Sequence, residues 1–335
     1  MAKVNIGGQA VLEGVMMQAP ERRSIAVRRA IDHKIVVSVQ EIEPAAKKHK
    51  ILGWPVVRGV AAFVGSLSSG MHTISLSAKM LGDDSAGEEP SRFETWLAGK
   101  LGKRVDDIVM GLALVIAAAM ACGFFVVLPS LAAQWFKLYI PGRMAVNLLE
   151  GLVRLLIFMG YILSVSRVKE IGRVFRYHGA EHKTVHMWEH DEELIPENAK
   201  KYPVMHPRCG TAFLLIVMLL SILLFSAFGW DLTWYTRILS RLVLLPVVAG
   251  VSYEVLRVFG KYDNAFVRVL RWPGMALQRI TAKEPDDSML EVAIVAMKAA
   301  LGLPHEGLLC DADGVVPAEA EPEGPKETEA EAAQG

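Results

Sequence analysis

Four long apolar runs fix most of what this chain can become. Ile108–Phe136 contains no charged residue and closes with Trp135, and Thr211–Trp230 is uncharged throughout. Met144–Ser166 is interrupted only by Glu150 and Arg154. Ile238–Phe259 carries Arg241 near one end, Glu254 and Arg257 near the other, and Pro246 inside. About 20 such residues cross a ~30 Å hydrocarbon layer as a helix, the form in which one segment satisfies its own backbone polar groups. With 52% hydrophobic residues and a mean hydropathy of +0.32, the chain reads as mainly α: a polytopic membrane protein of about four transmembrane helices, with the lipid bilayer as its first partner.

Basic residues orient such a bundle. The short loops hold few: Lys137 and Arg143 in one, Arg237 and Arg241 around the other. Segment 167–210 holds eight, namely Arg167, Lys169, Arg173, Arg176, Lys183, Lys200, Lys201 and Arg208, and Arg92, Lys100, Lys103 and Arg104 precede the first span. Both termini and the 167–210 segment are therefore expected in the cytoplasm, in a multi-pass protein of the cell membrane. Met1–Ala19 lacks the layout of a signal peptide. Three scattered cysteines (Cys122, Cys209, Cys310) do not make a disulfide framework. The formal net charge is zero, but six Glu and one Lys in residues 317–335 leave +5 on residues 1–316. No nucleic-acid partner is expected.

Five segments follow. Residues 1–50 form an N-terminal cytoplasmic segment. In it, Gly7-Gly8 indicates a turn or a close backbone approach, and Ser24–Ala30 with Lys34–Glu43 alternates as a small β-hairpin around Ile31-Asp32-His33. Its basic strand (Arg22, Arg23, Arg28, Arg29) is expected to face lipid or water, with Lys47-Lys48-His49-Lys50 adding juxtamembrane charge. Residues 51–107 comprise a Gly- and Ser-rich interfacial, amphipathic or re-entrant helix, open as to insertion over 59–78, and a linker at Gly82–Ser91. Residues 108–259 hold the four spans and the cytoplasmic His-rich segment 167–210, the second span continuing as one helix into the histidines. Residues 260–316 are a C-terminal cytoplasmic helical region, where Ser288 and Glu291 fit a capping box on a helix ending near Leu301. Residues 317–335 are too polar to bury a core and are expected to be disordered.

The chemistry concentrates in Tyr177–His190, where His178, His182, His186 and His190 recur every four residues. Each such step turns a helix by only about 40°, so the first three share a face and His190 drifts away. Glu181 completes His178-x-x-Glu181-His182, the pattern of inverted zinc proteases, in which two histidines bind zinc and the glutamate activates water. His206-Pro207-Arg208-Cys209-Gly210 adds an imidazole and a thiol. Pro207 holds His206 extended, and the dipole of the following helix favours the anion of Cys209 as ligand or nucleophile. Imidazole, carboxylate and thiolate suit a divalent transition metal, Zn²⁺ foremost. The alternative is a solvated basic helix with no metal. Outside this stretch, Glu13 is either a solvated carboxylate or a buried partner for a cation. Glu150 and Arg154, at the i, i+4 spacing, form either an internal ion pair or a polar pathway. Glu254 either snorkels with Arg257 or reaches towards the histidines.

These motifs, together with Gly7–Met17, His206–Thr211, Ala249–Glu254 and Glu284–Asp287, give the chain a specific resemblance to the YqhQ family of bacterial membrane proteins over roughly residues 4–303. The resemblance implies the label that family carries, a predicted metal-dependent enzyme, and no substrate. The expectation is a metal-dependent, hydrolytic enzyme at the cytoplasmic membrane face. His178, His182 and either His186 or His206 would bind the ion, Cys209 would be a further ligand or catalytic thiol, and Glu181 would be the general base. The substrate would be lipid-linked or membrane-associated. The other readings are a transporter using Glu150, Arg154 and Glu254, and a non-catalytic membrane adaptor.

Overall fold

The N-terminal 42 residues make more sheet than one hairpin. Four strands, β1 (Gly7–Val11), β2 (Gly14–Gln18), β3 (Arg22–Arg28) and β4 (Ile35–Glu41), form an antiparallel meander, and β5 (Leu308–Leu309) joins β4 in parallel. The expected hairpin is β3–β4, which turns through His33 at φ 58°. The β1–β2 hairpin, not read from the sequence, places Gly7-Gly8 in a strand and closes tightly through Glu13 at φ 49°. Its second strand is buried on both faces from Gly14 to Met17, so it lacks the alternation that marks a half-exposed strand. The structure is a computed structural model and describes residues 4, 6–42, 53–82, 105–227, 233–262, 264–311 and 314. The 47–50 cluster, residues 83–91 of the linker, the basic residues 92–104 and the 317–335 tail lie outside them.

Helices cover both faces of the sheet, so that of the four basic residues expected to face lipid or water Arg22 is exposed while Arg23, Arg28 and Arg29 are half-buried. Ser24–Val27 are fully buried, Arg28 pairs with Glu291 at 2.8 Å, and Arg29 pairs with Asp32. On one face Val15, Met17, Ala26 and Val37 pack against α10 (Asp287–Leu301) and against Tyr177 and Ala180 of α5 (Lys169–Glu189). On the other, Met16, Ile25 and Val36 pack against Leu76 and Met80 of α1 (Val57–Met80). Full burial of a large apolar side chain contributes roughly 1.5–3 kcal/mol, so these two layers fix the strand register. Helix α10 starts at Asp286, whose carboxylate accepts Met289 N–H at 3.1 Å, and ends at Gly302 with φ 70°. The expected Ser288–Glu291 capping box does not form, because Ser288 bonds to Asp286 and Glu291 turns to Arg28.

The apolar runs build the other half. Helix α2 (Val105–Cys122) continues through a π-helical turn (Gly123–Val127) into α3 (Leu128–Phe136). Helices α4 (Arg143–Val165), α7 (Gly210–Ala227) and α8 (Trp234–Lys261) follow. A single turn, α6 (Pro196–Ala199), lies between α5 and α7, and α9 (Ala265–Thr281) packs on α7. Among the described residues three segments are long and apolar enough to cross a membrane: Gly111–Phe136, Met144–Val165 and Ile238–Phe259. The fourth expected span corresponds to α7, whose apolar stretch Leu214–Phe225 is shorter. Helix α1 joins the halves. Its start crosses α8 where Gly59 meets Gly250, a Cβ on Gly59 lying 2.8 Å from the Gly250 Cα, and its end covers the sheet.

The second span does not run on into the histidines. Val168 is extended (ψ 130°) and α5 begins anew at Lys169. No proline or glycine causes the break. Side chains cap the end of α4 instead: Ser166 Oγ and Arg167 Nη1 donate to Leu163 O, and Lys283 Nζ donates to Ser166 O.

Candidate metal centre

Helix α5 buries one face in the sheet core and turns His178, His182 and His186 towards the loop before α7 and the end of α9. It tolerates Gly179 mid-helix for a reason: a Cβ there would lie 2.0 Å from Lys283 O. That close approach brings in the segment after α9, and with it the last residue of α9, whose carbonyl meets His178. His178 Nδ1 lies 2.8 Å from Thr281 O, and His182 Nδ1 lies 2.5 Å from Val204 O. A carbonyl only accepts, so both Nδ1 atoms carry the proton and both Nε2 atoms present a lone pair.

Those lone pairs converge. His178 Nε2 is 3.2 Å from Cys209 Sγ, and the two imidazole centroids are 4.3 Å apart. His182 Nε2 is buried with no hydrogen-bond partner, Glu181 Oε2 standing 3.5 Å away. One ligand atom each from His178, His182 and Cys209 lies within 4.8 Å of the others. The donor set, the outward-anchored Nδ1–H groups and the orphaned Nε2 all fit a transition metal ion. Cys209 sits just before α7, as expected, and its Sγ accepts the Thr211 N–H at 3.4 Å in place of a capping oxygen.

Glu181, beside His182, is buried against β1. Gly8 N–H donates to it, and a Cβ on Gly8 would lie 2.5 Å from Glu181 Cγ, so Gly7-Gly8 provides a close backbone approach. Burial pushes the carboxyl up to about 7 against the opposing pull of His178 and the Gly8 N–H. His186 and His206 do not join the first group. With Glu189 they form a second one, His206 Nε2 lying 3.3 Å from Glu189 Oε2 and His186 Nε2 facing Met205 O at 3.0 Å. Burial, reinforced by His186, His182 and Arg208, lowers His206 to about 3 and so keeps it neutral. His190 bonds to His186 O and stands outside both groups.

Sequence reasoning missed the residues that hold this arrangement. The Gln278 side chain, wholly buried, accepts His206 N–H at 2.8 Å and donates to His206 O at 2.9 Å, clamping the loop before Cys209. Thr281 and Val204 act through backbone carbonyls. Only Gln278, a polar residue on the apolar side of an amphipathic helix, left a trace in the sequence.

The remaining candidates lie elsewhere. Glu13 is ion-paired to Arg173 and lies 3.3 Å from Tyr177 Oη. Glu254 is held bidentately by Arg58 on α1 rather than turned to the histidines. Glu150 and Arg154 pair at 3.0 Å inside the apolar helices, with Arg241 and Ser130 also on Glu150. Arg154 additionally donates to Phe125 O, a carbonyl in the π-helical turn, and to Ser221 Oγ.

Comparison with known proteins adds a family. One described as "Protein of unknown function (DUF1385)" matches residues 54–303. The "Uncharacterized protein YqhQ" of Bacillus subtilis is 31% identical over 298 residues, covering 89% of this chain and 92% of that protein. No solved structure matches.

Proposed function

The chain belongs to the YqhQ family, matched over residues 54–303 by the family described as "Protein of unknown function (DUF1385)", and on that premise we propose that it is a metal-dependent, hydrolytic membrane enzyme whose site faces the cytoplasm. One observation carries the reading: one ligand atom each from His178, His182 and Cys209 lies within 4.8 Å of the others, with both Nδ1–H groups tied to backbone carbonyls. Three protein ligands with an open position is the arrangement of catalytic rather than structural zinc sites. His178, His182 and Cys209 would hold the ion, which when bound supplies Lewis acidity and activates water. The chain's own contribution is Glu181. Fixed by Gly8 and shielded from bulk solvent, its carboxylate accepts a proton from the attacking water at Oε2 and returns it to the leaving group. His206 and His186 stand behind the site as neutral imidazoles.

The transport reading has less support, because Glu150 and Arg154 are tied to Arg241, Ser130, Ser221 and a backbone carbonyl, as a helix crosslink would be. The test is the metal content of detergent-purified protein by elemental mass spectrometry. The wild type is expected to hold a near-stoichiometric transition metal that His178→Ala/His182→Ala loses and Glu181→Gln keeps. A wild type without metal, even after reconstitution with Zn²⁺, Mn²⁺ or Fe²⁺, overturns the reading.

A further inference from the structure

Two adjoining cavities, of about 270 and 560 Å³, open between the loop before α7 and helices α7, α8 and α9. Pro207, Arg208 and Arg271 line both, and the residue after Arg208 is Cys209. The two differ in character along their length. One end is apolar, walled by Leu215, Ile216 and Leu219 of α7, Leu256 and Phe259 of α8, and Leu270 of α9. Arg208, Arg257 and Arg271 border that same cavity, the other is ringed by Arg208, Lys261, Arg268, Arg271 and Arg279, and no carboxylate appears among the described lining residues of either. Glu189 touches the ring from outside, through Arg208 at 3.2 Å. Guanidinium groups at this density suit the forked oxygens of a phosphate.

Helix α9, which forms one wall, has a third face besides its buried and basic ones. Phe266, Val269 and Trp272 follow at i, i+3 spacing and are 70, 69 and 65% exposed. A helix with one basic face and an adjoining exposed aromatic face lies in a membrane interface, its apolar side chains among acyl chains and its arginines among head groups. Two observations therefore agree on the occupant. The cleft joins an apolar wall to a cationic lining, and α9, whose Trp272 belongs both to that lining and to the exposed face, is a helix suited to the interface.

We infer that this cleft binds an anionic phospholipid-type molecule, its phosphate among Lys261 of α8, the arginines of α9 and Arg208 of the preceding loop, and its chain along α7 and α8. Its role as the substrate cleft of the neighbouring metal centre rests on the hydrolytic reading; the binding itself does not. Chains enter laterally from the bilayer between α7 and α8, and the head group is delivered beside Cys209. A soluble phosphate fills only the basic end and a neutral lipid only the apolar end.

The test titrates detergent-purified, full-length protein with dioleoyl phosphatidic acid, dioleoylglycerol and inorganic phosphate, followed by native mass spectrometry. Phosphatidic acid is expected to bind at least about tenfold tighter than either other probe. Arg271→Gln/Arg279→Gln is expected to weaken it about tenfold. Arg271→Lys/Arg279→Lys, which keeps the charge but loses the fork, should weaken binding less than the Gln variant does, and a melting curve shows that each variant is folded. Equal binding of phosphatidic acid and dioleoylglycerol, or full binding by the folded Gln variant, overturns the proposal. Dominant binding of inorganic phosphate would assign a soluble ligand and also overturn it. His178→Ala/His182→Ala separates the two readings. That variant keeps lipid binding if the cleft is correct, whatever its metal content, and a wild type with metal but without lipid selectivity removes the cleft alone.

Discussion

At the scale of single residues, Gly179 sets local propensity against tertiary packing. By propensity it is a flaw worth about 1 kcal/mol against Ala, but in the fold it admits Lys283 O at what would be 2.0 Å from a Cβ. Gly179→Ala is therefore expected to be destabilising: overpacking of roughly 1–3 kcal/mol outweighs the propensity gain. It should also displace Thr281 and loosen His178, so that metal affinity falls together with melting temperature in a chelator competition. Cys209→Ser separates ligand from scaffold. The hydroxyl still caps α7 by accepting Thr211 N–H, so the fold persists, but a neutral hydroxyl is a poor ligand. Cobalt-substituted wild type is expected to show a near-ultraviolet thiolate-to-metal band that Cys209→Ser lacks. An unchanged spectrum would remove Cys209 from the ligand set. These candidates were legible where chemistry coincides with periodicity or residue type: His178 and His182 share a helix face by spacing alone, and Glu181 and Cys209 stand out by type. Their anchors were not legible, because Thr281 and Val204 contribute only carbonyls, and any residue has one.

At the scale of elements, the apolar helices announced themselves by length, and α10 by its period and its terminal Gly302. The boundaries that failed were those set by contacts. The break between α4 and α5 has no helix-breaking residue; Arg167, Ser166 and the distant Lys283 make it by satisfying terminal carbonyls. Strand β2 was hidden because α1 and α10 cover both its faces, which removes alternation. Within the apolar helices, Glu150 meets two arginines from two helices. Removing the carboxylate leaves two cations buried together, whereas removing Arg154 leaves Glu150 with Arg241. Glu150→Gln is thus expected to cost about 3–5 kcal/mol and to lower the melting temperature in detergent more than Arg154→Gln does. Neither should change the metal bound per folded molecule. A stable Glu150→Gln protein that had lost a transport activity would restore the pathway reading.

At the scale of the whole molecule, the candidate centre lies where the two halves of the chain meet. Helix α5, packed on the sheet, would supply two ligands, and Cys209, the residue before α7, would supply the third, 31 residues from His178. Glu181 is set by β1 from the N-terminus, and the loop carrying Cys209 is clamped by α9. An ion bound there ties the sheet half to the apolar half and closes the loop around α6. Binding to the folded state alone stabilises by RT ln(1 + [L]/Kd), about 2.7 kcal/mol at a hundredfold excess over Kd. Chelation is therefore expected to lower the melting temperature and to speed proteolysis within residues 190–208, the segment the ion would fasten at both ends. Readdition of Zn²⁺ should restore both. His178→Ala/His182→Ala should behave like chelated wild type from the outset and respond to neither chelator nor zinc. If chelation left the cleavage pattern of the wild type unchanged, the hydrogen bonds of Gln278, Thr281 and Val204 would be sufficient to hold the junction, and the histidines would be structural.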